Sequence, residues 1–295
     1  MSLWPAVKHF TAVVVAVTCL TGGVPVTRDG PTSLWKISKS DRHIFIGGTV
    51  HALSPSDYPL PRQFDHAYAG AAELVFETDR GLTLTRRGLN GLLRQASLRH
   101  GESLQQKLKP ATWQALKQFM AASGVPVERV ARYKPGLLTV MLTMVQKQNL
   151  KPAAQGVDAH FLERAFLDQK PVSSFETLFE QMEFFSRLGE DDPDAVVTHA
   201  LEEASQEQSA LDAMVQAWRR GDTAWIEANP IAAMKSYPTV YKAVLADRNT
   251  AWIPRIESFF ETDAVEFVLV GTFHLAGQDS LLVKLADLGY QIEKQ

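Results

Sequence analysis

Two stretches at opposite ends of the chain leave an apolar run in the same way. Ile44-Phe45-Ile46-Gly47-Gly48-Thr49-Val50-His51 and Val268-Leu269-Val270-Gly271-Thr272-Phe273-His274 both pass from β-branched and aromatic residues into Gly, Thr, one apolar residue and His. Glycine lets a backbone approach a ligand with no Cβ in the way. An imidazole just past that bend can bind a metal or move a proton. If the two runs are neighbouring strands, the imidazoles converge at the carboxyl edge of a sheet, where open α/β sheets bind ligands. Two imidazoles begin a Zn, Mn or Co site but fall short of the usual three or more protein ligands. Either His alone reads equally as a strand-end cap bonded to a carbonyl.

Carboxylates are supplied by Glu73-Leu74-Val75-Phe76-Glu77-Thr78-Asp79. Glu77 and Asp79 share a face at the end of this run, because strand side chains alternate with period two. Glu77 reads as a metal ligand, as a general base for a metal-bound water, or as the outer partner that orients a histidine. Gly156-Val157-Asp158-Ala159-His160-Phe161 places Asp158 as a helix cap. His160 falls in the first turn, where the helix dipole favours a neutral, metal-binding imidazole. Arg248-Asn249, with Trp252 a turn later, can hold a carboxylate, a peptide carbonyl or a developing oxyanion, or bond the helix's own last carbonyls. The sequence has no HExxH, Gly-x-Ser-x-Gly, GxGxxG or P-loop motif, which removes those enzyme classes.

These residues must be positioned by a core that 295 residues, 45% of them apolar, can build. A formal charge of -3 lacks the basic excess that phosphate-backbone binding requires, so no nucleic-acid partner is expected. The single Cys19 allows no internal disulfide and no thiolate zinc site. It lies in the uncharged run Phe10–Leu20, which follows Lys8 and precedes Thr21-Gly22-Gly23, the order of a secretory signal peptide. Residues 1–23 are therefore expected to be removed and 24–295 to form one domain. The location is then periplasmic or secreted, with no stable membrane insertion. The alternative is a protein anchored by the uncleaved segment.

Strands are expected over residues 34–48 as a hairpin, then at 72–77, 265–270 and, at an edge, 289–293. Helical spacing covers 112–122, 136–149, 158–167, 174–188, 194–219 and 231–260. The fold class is thus α/β (α+β): a central mixed sheet with a long helical insertion between the second strand and the C-terminal strands.

In this order the motifs resemble the TraB/GumN family, the Tiki-like superfamily. The matching features are Gly47 to His51, Phe76 to Asp79, Lys134-Pro135, Gly156 to Phe161, Lys170-Pro171 through Glu176-Thr177 with Gln181, Arg248-Asn249 with Trp252, and Val270 to Leu282 ending in Leu288-Gly289-Tyr290. The resemblance implies a metal-dependent hydrolase, a peptidase using Mn, Co or Zn. His51 and His274, with His160 or Glu77, would hold the ion. Glu77, Arg248 and Asn249 would be catalytic, with Asp79 and Asp158 behind them. Its substrate would be a peptide or protein. The competing class is a non-catalytic envelope protein that binds a metal, haem or peptide in the same crevice.

Overall fold

The hairpin at the start is formed by β1 (Leu34–Lys39) and β2 (Arg42–Thr49), paired antiparallel from Leu34 opposite Gly47 to Lys39 opposite Arg42. The structure, a computed structural model, describes residues 30–79, 91, 94–149, 154–206 and 208–295. The expected signal segment lies outside them. After β2 come β3 (Ala52–Leu53), α1 (Arg62–Gly70) and β4 (Glu73–Thr78). The helical part holds α2 (Pro110–Ala122), α3 (Pro135–Asn149), β5 (Ala154–Gln155), α4 (Val157–Leu167) and β6 (Val172–Glu176). It continues with α5 (Leu178–Arg187), α6 (Pro193–Ala204), α7 (Gln208–Arg219) and α8 (Asp247–Ser258). Strand β7 (Glu266–Gly271), α9 (Leu281–Asp287) and β8 (Gln291–Lys294) close the chain.

The main sheet is six-stranded in the order β6-β4-β7-β2-β1-β8. Strands β6, β4, β7 and β2 run parallel, while β1 is antiparallel to both its neighbours, so the sheet is mixed as expected. The four parallel strands leave the sheet at one edge, at Glu176, Thr78, Gly271 and Thr49. Their apolar residues divide by parity: Leu74, Phe76, Phe267 and Leu269 face a cluster with Phe64, Phe161 and Trp218. Val75, Val268 and Val270 face one with Ile37, Ile46 and Trp252. Burial on both faces is why these strands read as unbroken apolar runs. A separate cluster around Leu116, Leu138 and Val197 joins α2, α3 and α6.

Three helical expectations are corrected. Residues 172–176 are a strand, so no helix begins at 174. The helix starts instead after Thr177, whose hydroxyl accepts the Glu180 N–H while the Glu180 carboxylate accepts the Thr177 N–H. The stretch 194–219 is two helices separated at Ser205 and Gln206. The stretch 231–260 is a broken series in which five-residue π-helical turns over Glu227–Ile231 and Lys242–Ala246 precede short helices and α8. No helix of the described residues is long and apolar enough to cross a membrane.

Candidate functional site

At the carboxyl edge of β4 and β6 stand two glutamates, and α8 delivers an arginine between them. Arg248 Nε donates to Glu176 Oε1 at 2.8 Å, and Nη2 donates to Glu77 Oε2 at 2.9 Å and to Glu176 Oε2 at 3.0 Å. Nη1 points to His274 Nε2 at 3.4 Å and to the Val244 carbonyl at 3.5 Å. A guanidinium has five N–H groups, so every one of them is met inside the protein. The plane lies over Trp252 at 4.7 Å, and Trp252 Nε1 donates to Glu176 Oε1 at 3.0 Å. Glu77 Oε1 accepts the Gly271 N–H at 2.5 Å. Burial opposes the charge on Glu77, but Arg248 foremost and the Gly271 N–H outweigh it and hold the carboxyl below the usual range. Burial also opposes the charge on Arg248, and Glu77 and Glu176 more than offset it.

His274 follows β7 in a short 3-10 turn and is buried. Its Nδ1 donates to Asn249 Oδ1 at 2.6 Å, and the Asn249 amide donates to the Asp279 carbonyl at 2.8 Å and to the His274 carbonyl at 3.4 Å. These bonds fix the tautomer with the lone pair on Nε2. Burial first, and Arg248 beside it, lower its pKa to about 3 despite the pull of Glu77, so this imidazole is neutral at physiological pH. Both amide hydrogens of Asn249 are thereby used. The oxyanion role expected of Arg248 and Asn249 therefore has no donor left to perform it in this arrangement. What the pair does is hold Glu77, Glu176 and His274 in place.

His51 differs. Strands β2 and β7 are parallel neighbours, with Thr49 beside Gly271, so both Gly-Thr-x-His segments do leave the sheet side by side. The His51 side chain is 47% exposed, and its Nδ1 lies 3.2 Å from the buried Asp158 carboxylate. The contact requires Gly156: a Cβ there would lie 2.5 Å from the carbonyl carbon and oxygen of His51. Val157 N–H donates to the Val50 carbonyl at 3.0 Å and locks α4 against this turn.

The remaining expected residues go elsewhere. Asp79 Oδ1 accepts the Leu178 N–H at 2.5 Å and ties β4 to the start of α5. His160 packs on the Tyr58 ring at 5.6 Å and the Phe161 ring at 5.0 Å, and the charges acting on it are Asp65, Arg164 and Glu163. It faces α1 and the outer side of α4 rather than Glu77 or His274. Glu176 joins the site without having been among the expected residues. A repeated tripeptide marks it: Phe76-Glu77-Thr78 ends β4, Phe175-Glu176 ends β6 with Thr177 next, and Thr78 pairs with Glu176. Asp279 was also unforeseen; besides its bond to Asn249 it accepts the Tyr241 hydroxyl at 2.6 Å.

This edge, with a glutamate from each of two strands, an arginine and asparagine from one helix, and two Gly-Thr-x-His turns, is built from residues 48–274. The model of the TraB/PrgY/gumN family matches residues 33–294. The chain belongs to that family. No curated protein and no solved structure matches it. For a TraB/PrgY/gumN chain the resemblance described above implies a divalent ion, and the donors can be tested against one. His274 and His51 each have Nδ1 engaged, the orientation that metal-bound histidines show, but Nε2 of His274 already faces Arg248 Nη1. Glu77, however, already accepts from Arg248 and Gly271, and the guanidinium stands 3.4 Å from His274 Nε2, where a second cation would meet it. Among the described residues no three His, Cys, Asp or Glu side chains are grouped closely enough to hold an ion. The donors do not fit an ion in this arrangement.

Proposed function

We propose that the chain is a hydrolase that cleaves a carbonyl substrate, a peptide in the first instance, with His51 as the proton-accepting group. The observation that carries this reading is the half-exposed imidazole whose Nδ1–H is directed to the buried carboxylate of Asp158. That bond leaves the Nε2 lone pair on a half-exposed ring, the arrangement of a general base oriented by a carboxylate. Water gives a proton to His51 Nε2 as its oxygen bonds the carbonyl carbon and the C=O π pair moves onto the carbonyl oxygen, to re-form the double bond when the C–N bond breaks. The resulting imidazolium keeps its Nδ1–H on the Asp158 carboxylate. When the C–N bond breaks, the same proton passes to the leaving amine. Arg248, Glu176, His274 and Asn249 serve as a fixed floor of charge and hydrogen bonds.

Peptide-library cleavage tests this with the wild type, His51→Ala and Asp158→Asn, each with and without exhaustive chelation. Cleavage that survives chelation and disappears in His51→Ala supports the reading. Cleavage lost on chelation and restored by Mn or Co returns the divalent ion to first place. Undiminished cleavage by His51→Ala refutes it. A second reading, a non-catalytic binding protein, is favoured by the complete internal bonding of Arg248 and Asn249. Peptide binding without any turnover would establish it. The proposal includes export, on the strength of Lys8 and the run Phe10–Leu20, which an N-terminus near Val24 in the mature protein would support.

A further inference from the structure

The hydrolase reading leaves its substrate unspecified, and a cavity whose lining begins three residues after His51 in the chain bears on that. It has a volume of about 530 Å³ and lies between Ser54–Asp57, a segment starting three residues after His51, and one side of α7. Its two walls are tied to the turn that carries His51. Trp218 Nε1 on α7 donates to the Gly48 carbonyl at 2.7 Å, and Arg219 donates to the carbonyls of Asp57 and Pro59. The segment opposite is closed on itself, since Ser54 N–H donates to Asp57 Oδ2 at 2.7 Å. A space of this size, walled by fixed elements, is in the range of ligand sites.

The helix wall has a regular chemistry. Gln208, Asp212 and Gln216 recur every fourth residue and form one stripe, with Val215 beside it. At 1.5 Å per residue, successive members are ~6 Å apart. An extended peptide repeats every two residues, at ~6.6 Å. A glutamine amide both donates and accepts, which suits the alternating N–H and C=O groups of such a strand. Gln208 Nε2 is held by Asp212 Oδ1 at 2.7 Å, which turns its carbonyl oxygen away from the aspartate. Asp57 and Asp212 line the cavity, and among the described residues no basic one does, so a positive side chain is the complementary occupant.

We propose that this groove is the substrate-binding cleft of the hydrolase: it takes an extended peptide along α7, with a lysine or arginine side chain against Asp57 and Asp212. The assignment rests on the hydrolase reading for its use, not for its binding. The test measures fluorescence anisotropy of labelled ten-residue peptides carrying a central Lys or a central Glu, with the full chain bearing His51→Ala. Gln208→Ala/Gln216→Ala should weaken the Lys peptide on the order of tenfold. Asp212→Lys should reverse the preference between the two peptides. In the otherwise wild-type chain the glutamine variant should raise KM for the peptide at unchanged kcat and leave a minimal single-residue ester unaffected. Equal binding of both peptides, no change in the variants, or tighter binding of neutral oligosaccharides would overturn the proposal. Groove-dependent binding with no hydrolysis by the wild type would sink the hydrolase reading and leave the groove standing. Hydrolysis with a KM indifferent to these residues would sink the groove alone.

Discussion

Replacing Arg248 with methionine isolates what its guanidinium does. Arg248, Glu77 and Glu176 have side chains only 10%, 15% and 17% exposed, and both carboxylates bond the one cation at 2.8 to 3.0 Å. Removing one partner from a buried ion pair costs about 3–5 kcal/mol, chiefly because a charge is left without its partner. Here two are left, facing each other across a parallel strand pair, so ~4 kcal/mol at pH 7.5 is the expectation. The loss must depend on pH. Without Arg248 the folded-state pKa of Glu77 rises above its unfolded value, and an acid raised in this way loses stability as pH climbs through the raised pKa. Urea unfolding of the full chain should therefore show a smaller loss at pH 5 than at pH 7.5. Arg248→Met combined with Glu176→Gln should recover part of it at the higher pH. A loss below ~1 kcal/mol, or the same loss at both pH values, would refute the idea that the guanidinium neutralises two buried charges.

Gly156→Ala should cost on the order of 1–3 kcal/mol and abolish turnover, because the new methyl meets the His51 backbone at 2.5 Å and displaces the imidazole from Asp158; chemical denaturation and turnover measured together check it. Asn249→Ala removes the acceptor for His274 Nδ1–H, and NMR of the imidazole nitrogens should then show loss of the single tautomer. Glu266 is buried at the amino end of β7 opposite Glu73, and burial, with Glu73 adding to it, raises its pKa to about 7. Its cost appears as pH rises from the unfolded value through that pKa. Glu266→Gln should accordingly stabilise the protein by ~2 kcal/mol at pH 8 and by little at pH 4, read from denaturation midpoints.

The half of the site that lies on strand exits was legible because a short echo in sequence became adjacency in space. β2 and β7 are parallel neighbours, so similar strand endings produce similar turns, and both histidines were found. Their different fates were not legible. His274 enters a 3-10 turn roofed by α8, whereas His51 is followed by β3 and stays at the surface, and only the elements that cover them decide this. β6 was mistaken for the start of a helix because Phe175, Leu178, Phe179 and Met182 recur at helical spacing while Ser173 and Ser174 resemble caps. As an edge strand it buries its residues only partly, and the period-two signal is weak. The role of Arg248 was misjudged for a similar reason: its partners are 171 and 72 residues away, and nothing local records that its donors are all taken.

The placement of β7 between β4 and β2 also governs the order in which the protein can be assembled during synthesis. The strand that joins the two halves of the sheet is next to last to leave the ribosome. Until Glu266–Gly271 emerges, β2 and β4 each present an unpaired parallel edge, and such edges template association between chains. The nascent polypeptide therefore has to carry two open edges through the translation of nearly two hundred intervening residues, roughly 10–40 s at ordinary elongation rates. A chain stopped short of residue 266 should have no soluble folded form, and holdase chaperones should be found on it until its last strand pair closes.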